Sequence, residues 1–180
     1  MTDAETSPTD EGDRFIKLAL SVLEGADPEG SASALELGLT IVRAGNRLQN
    51  DLDTYVNRPA GATWATFRVL FTIQAMGSVT PKRLARLSNT SAASVTSVLK
   101  TLDKHGLIVR EPDPKDGRSV SLALSPAGEA AASELFRRNH ARMEAWAADF
   151  SEEERALLVR MLGRILYGPR PPRVDYPRLN

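Results

Sequence analysis

Residues 90–104 carry side chains suited to reading the edges of nucleic-acid bases. A helical wheel centred on Val95 has one apolar side and one side that is small, hydroxylic or cationic, without an acid. The apolar, inward side is predicted to hold Ala92, Val98, Leu99 and Leu102 beside Val95. Short side chains let a helix enter a DNA major groove, hydroxyls bond base edges, and lysines meet phosphates. The alternative is an ordinary solvated face, which would usually include Glu or Asp. The candidate contacts are Thr90, Ser91, Ala93, Ser94, Ser97, Lys100 and Thr101.

A second group of candidate contacts lies at the tip of a hairpin. Two β-rich runs, 107–110 and 119–124, flank a charged tip that contains Lys115, Asp116 and Arg118. A single arginine fits the negative minor groove of A·T-rich DNA, so Arg118 is a candidate groove reader. Lys115 can contact a phosphate, and the Asp116 carboxylate can orient the cationic side chains of Lys115 and Arg118. The alternative is a solvated turn built from Pro, Asp and Gly.

Two short helices position the first group of side chains. Thr80 can cap a helix whose first residue is Pro81, where the missing amide is harmless, and this helix ends near Leu87. After a tight turn, Ser91 can cap a second helix that runs to about residue 104 and closes at Gly106. Two short helices joined by such a turn predict a helix-turn-helix.

Longer helices are predicted on both sides of this unit. A short amphipathic helix spans 13–25, a long one spans 34–57, and another follows Thr63. Ser125 caps a helix that reaches about residue 149, and a capping box of Ser151 and Glu154 opens the last helix. The fold class is therefore mainly α with a small β-hairpin. The terminal helices are apolar on more than one face, which predicts a dimer whose two ends pack together, the alternative being a monomeric bundle.

The chain divides into five segments on these patterns. They are an acidic N-terminal extension with a short helix (1–30), the N-terminal helix of the dimerisation region (31–62), a winged helix-turn-helix (63–125), C-terminal dimerisation helices (126–168) and an extended tail (169–180).

Composition excludes several classes of protein. The 180 residues include no cysteine, which excludes disulfides and thiolate metal sites. No apolar run approaches the ~20 residues of a membrane span, and the acidic N-terminus is not a signal peptide, so we expect a soluble cytoplasmic protein. The net charge is zero, but residues 1–36 carry nine acids against two bases and residues 80–118 carry eight bases against four acids. A basic middle suits an anionic partner.

The central segment resembles the winged-helix core of MarR-type transcriptional regulators. The resemblance rests on the Leu84-Ala85 pair, on the S-x-x-S-V-T block from Ser91, on the junction LDKHGLIVR and on DPKDGR followed by LALSPAG, which ends at Gly128. It implies a homodimer whose N- and C-terminal helices intertwine in a dimerisation domain. Each subunit would offer a recognition helix and a wing to one half of a pseudo-palindromic operator, with half-sites about one helical turn apart. Such proteins usually repress, and a small ligand often releases them.

The resemblance also implies a pocket between the dimerisation and DNA-binding parts. Arg43, Arg47 and Asn50 share one helix face, and Trp64 and Phe67 share another. Together they could bind a carboxylate on an aromatic ring, so an aromatic or phenolic effector is a hypothesis. The alternative is a solvated stripe of arginines beside aromatic residues of the core.

Nothing in the sequence indicates an enzyme. It contains no nucleophile with a base partner, no metal-ligand spacing and no glycine-rich phosphate loop, so no cofactor is expected. The expected partners are double-stranded DNA, a second copy of the chain and a small-molecule effector, without a membrane. The alternative function is a winged-helix protein-interaction module that does not bind DNA sequence-specifically.

Overall fold

The computed structural model describes residues 8–112 and 120–173, which form seven α-helices and one antiparallel hairpin. This confirms the expected mainly α fold with a winged helix-turn-helix. A π-helical turn (Asp53–Asn57) and a 3-10 turn (Arg58–Ala60) extend the second helix. The elements are α1 (Pro8–Ala26), α2 (Ala32–Leu52), α3 (Trp64–Met76), α4 (Pro81–Leu87), α5 (Ala92–Lys104), β1 (Ile108–Pro112), β2 (Val120–Leu124), α6 (Pro126–Ala147) and α7 (Glu152–Tyr167).

Hydroxyl caps set most of the helix starts, as the sequence predicts. Thr63, Ser91 and Ser125 each accept a hydrogen bond from the backbone N–H three residues ahead, and Ser151 forms the predicted capping box with Glu154. Thr80 precedes α4 with extended backbone, but its side chain makes no capping bond. Pro81 still starts the helix, because its ring has the φ that a first helical residue needs.

The first helix is longer than the sequence pattern indicated. It begins at Pro8, five residues before the predicted start at Asp13. A proline at the first position and acids in the following turn both favour a helix start, because the helix dipole is positive there. The sequence analysis had placed residues 8–12 in the acidic extension before the helix.

The core lies inside the winged helix-turn-helix unit and joins it to α6. Its buried residues come from α3, α4, α5, α6, both strands and the segment before α4. The largest side chains of this core that are completely buried are Ile73, Leu84, Leu102, Leu122, Val69 and Val79. Val79 also exchanges two backbone hydrogen bonds with Leu122, at 2.9 and 3.0 Å, which ties the entry of α4 to the hairpin. The recognition elements therefore share one packed body.

The hairpin and α5 are held in a fixed relation. The strands pair from Ile108 with Leu124 to Pro112 with Val120. Arg110 on β1 donates to the carboxylate of Asp103 on α5 at 2.5 Å, and both side chains are partly exposed. This ion pair joins the base of the wing to the C-terminal end of α5.

Two polar clusters join α2 to α6. Asn57 and Asn139 are completely buried and exchange side-chain hydrogen bonds of 3.0 and 3.4 Å. Six residues before Asn57, Asp51 accepts two hydrogen bonds of 2.7 Å from Arg142 and one of 2.9 Å from Trp146. The hydrogen bonding from Arg142 is the main cause that lowers the pKa of the Asp51 carboxyl below its ordinary value. These contacts fix the orientation of α2 relative to α6.

The helices at the two ends of the chain contribute little to this core. Every residue of α7 is described, and none of them is buried. No residue of α1 whose side chain is described is fully buried either. Among the described residues, no helix is long and apolar enough to span a membrane.

Candidate nucleic-acid interface

Helix α5 presents its apolar side to the core and its polar side outward. Val95, Val98, Leu99 and Leu102 are buried, as the wheel predicts. Ala92 was expected on the inward side but is exposed, because it is the first residue of the helix and precedes the turn that packs. The outward side retains the candidate contacts Ala93, Ser97, Lys100 and Thr101, all of which are exposed.

The candidates at the start of α5 lie deeper than the others. Thr90 and Ser94 are half-buried, and Ser91 is exposed. The Thr90 hydroxyl donates to the carbonyl of Ser88 at 3.0 Å, and the Ser91 hydroxyl accepts from the Ser94 N–H at 3.1 Å. These hydroxyls therefore hold the turn and the helix start. Their remaining lone pairs can still accept from a base or a water molecule.

Helix α4 adds a basic surface that the sequence analysis did not assign to the site. Lys82, Arg83 and Arg86 are exposed, while Leu84 between them is buried in the core. In a helix-turn-helix, the first helix crosses the DNA backbone, where such cations meet phosphates. In the sequence, the spacing of three and four residues between the basic side chains of this short helix could have indicated this role.

Lys100 gives the first test of this surface. We expect Lys100→Ala to weaken binding to all duplexes about equally and to lower the log–log salt slope by roughly 0.9 for each bound subunit, because each subunit loses one phosphate contact. Titrations at several salt concentrations measure the slope. Lys17→Ala, the same substitution on α1, serves as the control and leaves it unchanged. A loss confined to one DNA sequence would make Lys100 a base reader instead.

The wing candidates lie where the described strands end. The last strand pair joins Pro112 to Val120. Lys115, Asp116 and Arg118 belong to the seven residues between them (113–119), which lie outside the described part of the chain. Their contacts with DNA remain a prediction from the sequence.

A cleft of about 400 Å³ lies directly behind the start of α5. Most residues of its wall carry polar side chains, and the ring of Trp64 and the methyl group of Ala65 add apolar surface. The lining comes from the end of α2, the start of α3 and the turn before α5, and it comprises Gln49, Asn50, Asp53, Thr63, Trp64, Ala65, Arg68, Asn89, Thr90, Ser91 and Ser94. The volume suits a small ligand.

Arg68 is the cation of this cleft, and the sequence analysis missed it. Its guanidinium donates to the backbone carbonyl of Asn89 in the helix-turn-helix turn, where Asn89 has a positive φ of 48°. Burial lowers the pKa of Arg68 from its ordinary value. Across the cleft, Asp53 accepts from the backbone N–H of Trp64 at 2.6 Å and from Arg58 at 2.8 Å. The i, i+4 spacing of Trp64 and Arg68 places them on one face of α3, which could have indicated that both line one cleft.

The structure separates the five residues expected to form an effector pocket. Asn50 and Trp64 line the cleft, whereas Phe67 is buried in the core with its ring centroid 5.3 Å from that of Trp64. Arg43 lies over the ring of Phe15 at 4.9 Å, and Arg47 lies over the ring of Trp146 at 5.6 Å. Neither arginine belongs to the cleft wall, where the cation is Arg68.

The paired helices, the hairpin and the acid-free face of α5 together define a winged helix-turn-helix DNA-binding protein. A sequence model of the MarR family matches residues 62–120. The multiple antibiotic resistance protein MarR of Salmonella typhimurium is 30% identical over 104 residues, which cover 58% of this chain and 72% of that protein. The chain therefore belongs to the MarR family of transcriptional regulators.

Other relatives agree with this assignment. The transcriptional repressor YetL of Bacillus subtilis is 25% identical over 134 residues, which cover 73% of this chain and 80% of YetL. The solved structure of a MarR variant from E. coli, in complex with operator DNA, has a TM-score of 0.64 and 23% identity over 80% of this chain and 97% of that one. The second comparison shows a shared fold.

Proposed function

We propose that the protein is a cytoplasmic, homodimeric repressor that binds a pseudo-palindromic operator. One observation carries the proposal: the exposed side of α5 has no acid between residues 92 and 101 and lies beside the basic surface of α4 on a winged helix-turn-helix. Each subunit would place α5 in a major groove and its wing over the neighbouring minor groove. The relatives named repressor or solved with operator DNA support this assignment.

Dimer formation is supported by the surface of α7. A helix in water does not keep a row of large apolar side chains exposed, because burying each is worth roughly 1.5–3 kcal/mol. A second copy of the chain can cover this row in a symmetric interface. The exposed side chains are Leu157, Leu158, Val159, Met161, Leu162, Ile165, Leu166 and Tyr167.

Salt dependence tests DNA binding directly. A homodimer that neutralises several phosphates should lose affinity steeply as salt rises, with a log–log slope of roughly −0.9 per contact. Affinity for one operator is measured between low and physiological salt, with the dimer confirmed by sedimentation. A flat profile would contradict the proposal and favour a protein partner for the same surface.

The wing makes a separate prediction. We expect Arg118→Ala to weaken operator binding by roughly 1–3 kcal/mol and to relax A·T preference at the flanks, because a groove-reading arginine is lost. The measurement is affinity for a set of duplexes that differ only in the flanks. Lys115→Ala is the matched control, expected to weaken all of these duplexes alike. Unchanged binding by Arg118→Ala would remove the wing from the mechanism.

We also propose that the cleft behind α5 receives a small aromatic or phenolic acid that releases the DNA. A carboxylate drawn to Arg68 would compete with the carbonyl of Asn89 for the same guanidinium. Because Asn89 lies in the turn that sets the start of α5, this competition would shift the recognition helix. Such a ligand must bind the DNA-free arrangement better than the DNA-bound one.

Arg68 provides the test of this effector site. Aromatic carboxylic acids should raise the melting temperature of the protein, since a ligand at a hundred times its Kd adds about 2.7 kcal/mol of stability. Arg68→Gln is expected to abolish the shift and also to weaken DNA binding, because it removes the same contact with Asn89, whereas Arg47→Gln keeps both the shift and DNA binding. An equal shift in the Arg68 variant, or none with the unaltered protein, would exclude the site.

A further inference from the structure

The cleft behind α5 contains a cation that lacks a carboxylate partner among the described residues. Arg68 is half-buried, and burial lowers the pKa of its guanidinium from the ordinary value. The hydrogen bond that it donates goes to the uncharged carbonyl of Asn89. Asp53 in the same wall is paired with Arg58 instead, at 2.8 Å. A cation that is partly removed from water is stabilised by a nearby carboxylate, so the cleft suits an acidic group.

Helix α1 points toward this cleft. It runs antiparallel to α2, because only residues 27–31 join the two helices and the far end of α1 contacts Arg43. A Cβ atom at Gly12 would lie 3.1 Å from the Arg43 guanidinium, which also lies 4.9 Å from the centroid of the Phe15 ring. Asn50 follows Arg43 by two helical turns on the same stripe of α2, and it lines the cleft. The N-terminal end of α1 is therefore directed along α2 to the cleft wall.

The acids that precede α1 are close enough to reach the cleft. The first residue of α1 lies about 6 Å beyond Gly12 along the axis, since a helix rises about 1.5 Å per residue. Asn50 lies about 10 Å beyond Arg43 by the same measure, so the two levels differ by roughly 5 Å. An extended chain spans roughly 3.3 Å per residue, which lets Glu5 and Asp3 reach about 10 and 17 Å from the start of α1.

Residues 1–7 supply the charge that the cleft lacks. They contain Asp3, Glu5 and no basic side chain, and they lie outside the described part of the chain. Three of their other side chains are hydroxylic, and hydroxyls can bond the polar groups of the cleft wall, such as Gln49 and Ser94. The segment is therefore complementary in charge and polarity to the described wall around Arg68.

We propose that residues 1–7 occupy the cleft of their own subunit, with the carboxylate of Asp3 or Glu5 on the Arg68 guanidinium. The inference rests on the proposed effector site, because the segment and an aromatic acid would compete for the same cation. A cleft that is free for only a quarter of the time binds its ligand about fourfold more weakly. The acidic N-terminal segment thus sets the concentration of effector that releases the DNA.

Disulfide formation tests the location of the segment directly. The chain has no cysteine, so an introduced pair is unambiguous. In the full-length chain, Ala4→Cys with Asn50→Cys should form a disulfide within one chain under mild oxidation, detected at the monomer mass on a non-reducing gel. With Ala44→Cys in place of Asn50→Cys, on the opposite, exposed side of α2, the reaction should be at least about fivefold slower. Equal rates, or a disulfide that joins two chains, would overturn the inference.

Removal of the two negative charges tests the competition. Asp3→Asn combined with Glu5→Gln should lower the Kd for benzoate about fourfold, measured by calorimetry, because the cleft is no longer occupied by the segment. Glu24→Gln combined with Asp27→Asn makes the same change of charge at the other, exposed end of α1 and should leave the Kd within about twofold. An unchanged Kd in the first variant would overturn the inference.

The outcomes separate this inference from the effector proposal. If benzoate binds neither the unaltered protein nor the variant, the effector proposal fails, and the disulfide decides alone whether the segment lies in the cleft. If benzoate binds both with the same Kd, the effector site stands and only the role of residues 1–7 is overturned. Circular dichroism of each variant confirms that its helices remain folded.

Discussion

Replacing Gly128 by alanine should destabilise the protein by about 3 kcal/mol, one of the largest single-residue effects expected for this chain. Gly128 lies in the first turn of α6 and is buried. A Cβ atom there would lie 1.9 Å from the backbone oxygen of Leu107. The same oxygen accepts a hydrogen bond from the Ser125 N–H at 3.1 Å. Displacing it to make room for the Cβ atom would therefore also weaken the hydrogen bond at the start of α6. No side-chain rotation can relieve a clash between a methyl group and backbone.

Thermal unfolding measures this effect. A loss of 3 kcal/mol lowers the melting temperature of a chain this long by roughly 6–12 °C. Gly25→Ala is the matched control, since a Cβ atom there meets nothing within 4 Å. It is expected to be neutral or slightly stabilising, because alanine favours helix. An unchanged melting temperature for Gly128→Ala would show that the first turn of α6 does not pack closely on the backbone of Leu107.

Asn139→Ala is the second large effect, expected to cost roughly 3 kcal/mol. The Asn139 amide donates to the Asn57 side chain at 3.0 Å and to the carbonyl of Leu135 at 2.9 Å, and it is fully buried. Its removal leaves the side-chain oxygen of Asn57 without this partner and opens a small cavity. Leaving a buried polar group unpaired costs about 1–3 kcal/mol, and the cavity adds to this.

A double-mutant cycle separates the pair from the two individual residues. Asn57→Ala combined with Asn139→Ala should cost less than the sum of the single variants, by roughly 0.5–3 kcal/mol, because the second substitution removes a group already left unpaired. Urea unfolding of the four proteins gives the coupling. Additive costs would show that the two amides do not stabilise the junction of α2 and α6 as a unit.

Local chemistry predicted the elements that carry the proposed DNA contacts. Hydroxyl caps at Ser91, Ser125 and Ser151, and proline at the first position of α4 and α6, mark helix starts through interactions within a few residues. The wheel of α5 separated its buried and exposed sides, except at Ala92, because helical periodicity depends only on the chain itself.

Long-range packing decided what the sequence pattern could not predict. A shared helix face placed Arg43 and Arg47 together, but it could not show that α1 and α6 bring Phe15 and Trp146 under them. The buried partner of Asn57 lies 82 residues away, so no local signal pairs it with Asn139. The glycine that ends the LSPAG motif could be recognised as part of a pattern. Glycine is needed at position 128 because the carbonyl of Leu107 lies close to its Cα atom, and this contact is visible only in the folded structure.

The central claim is that this chain reads DNA sequence as a symmetric dimer. Its most direct test is selection of duplexes from a random pool by the purified protein at roughly physiological salt. The account predicts enrichment of an inverted repeat whose half-sites lie about one helical turn apart. Absence of enrichment from a folded, dimeric protein would contradict sequence-specific binding.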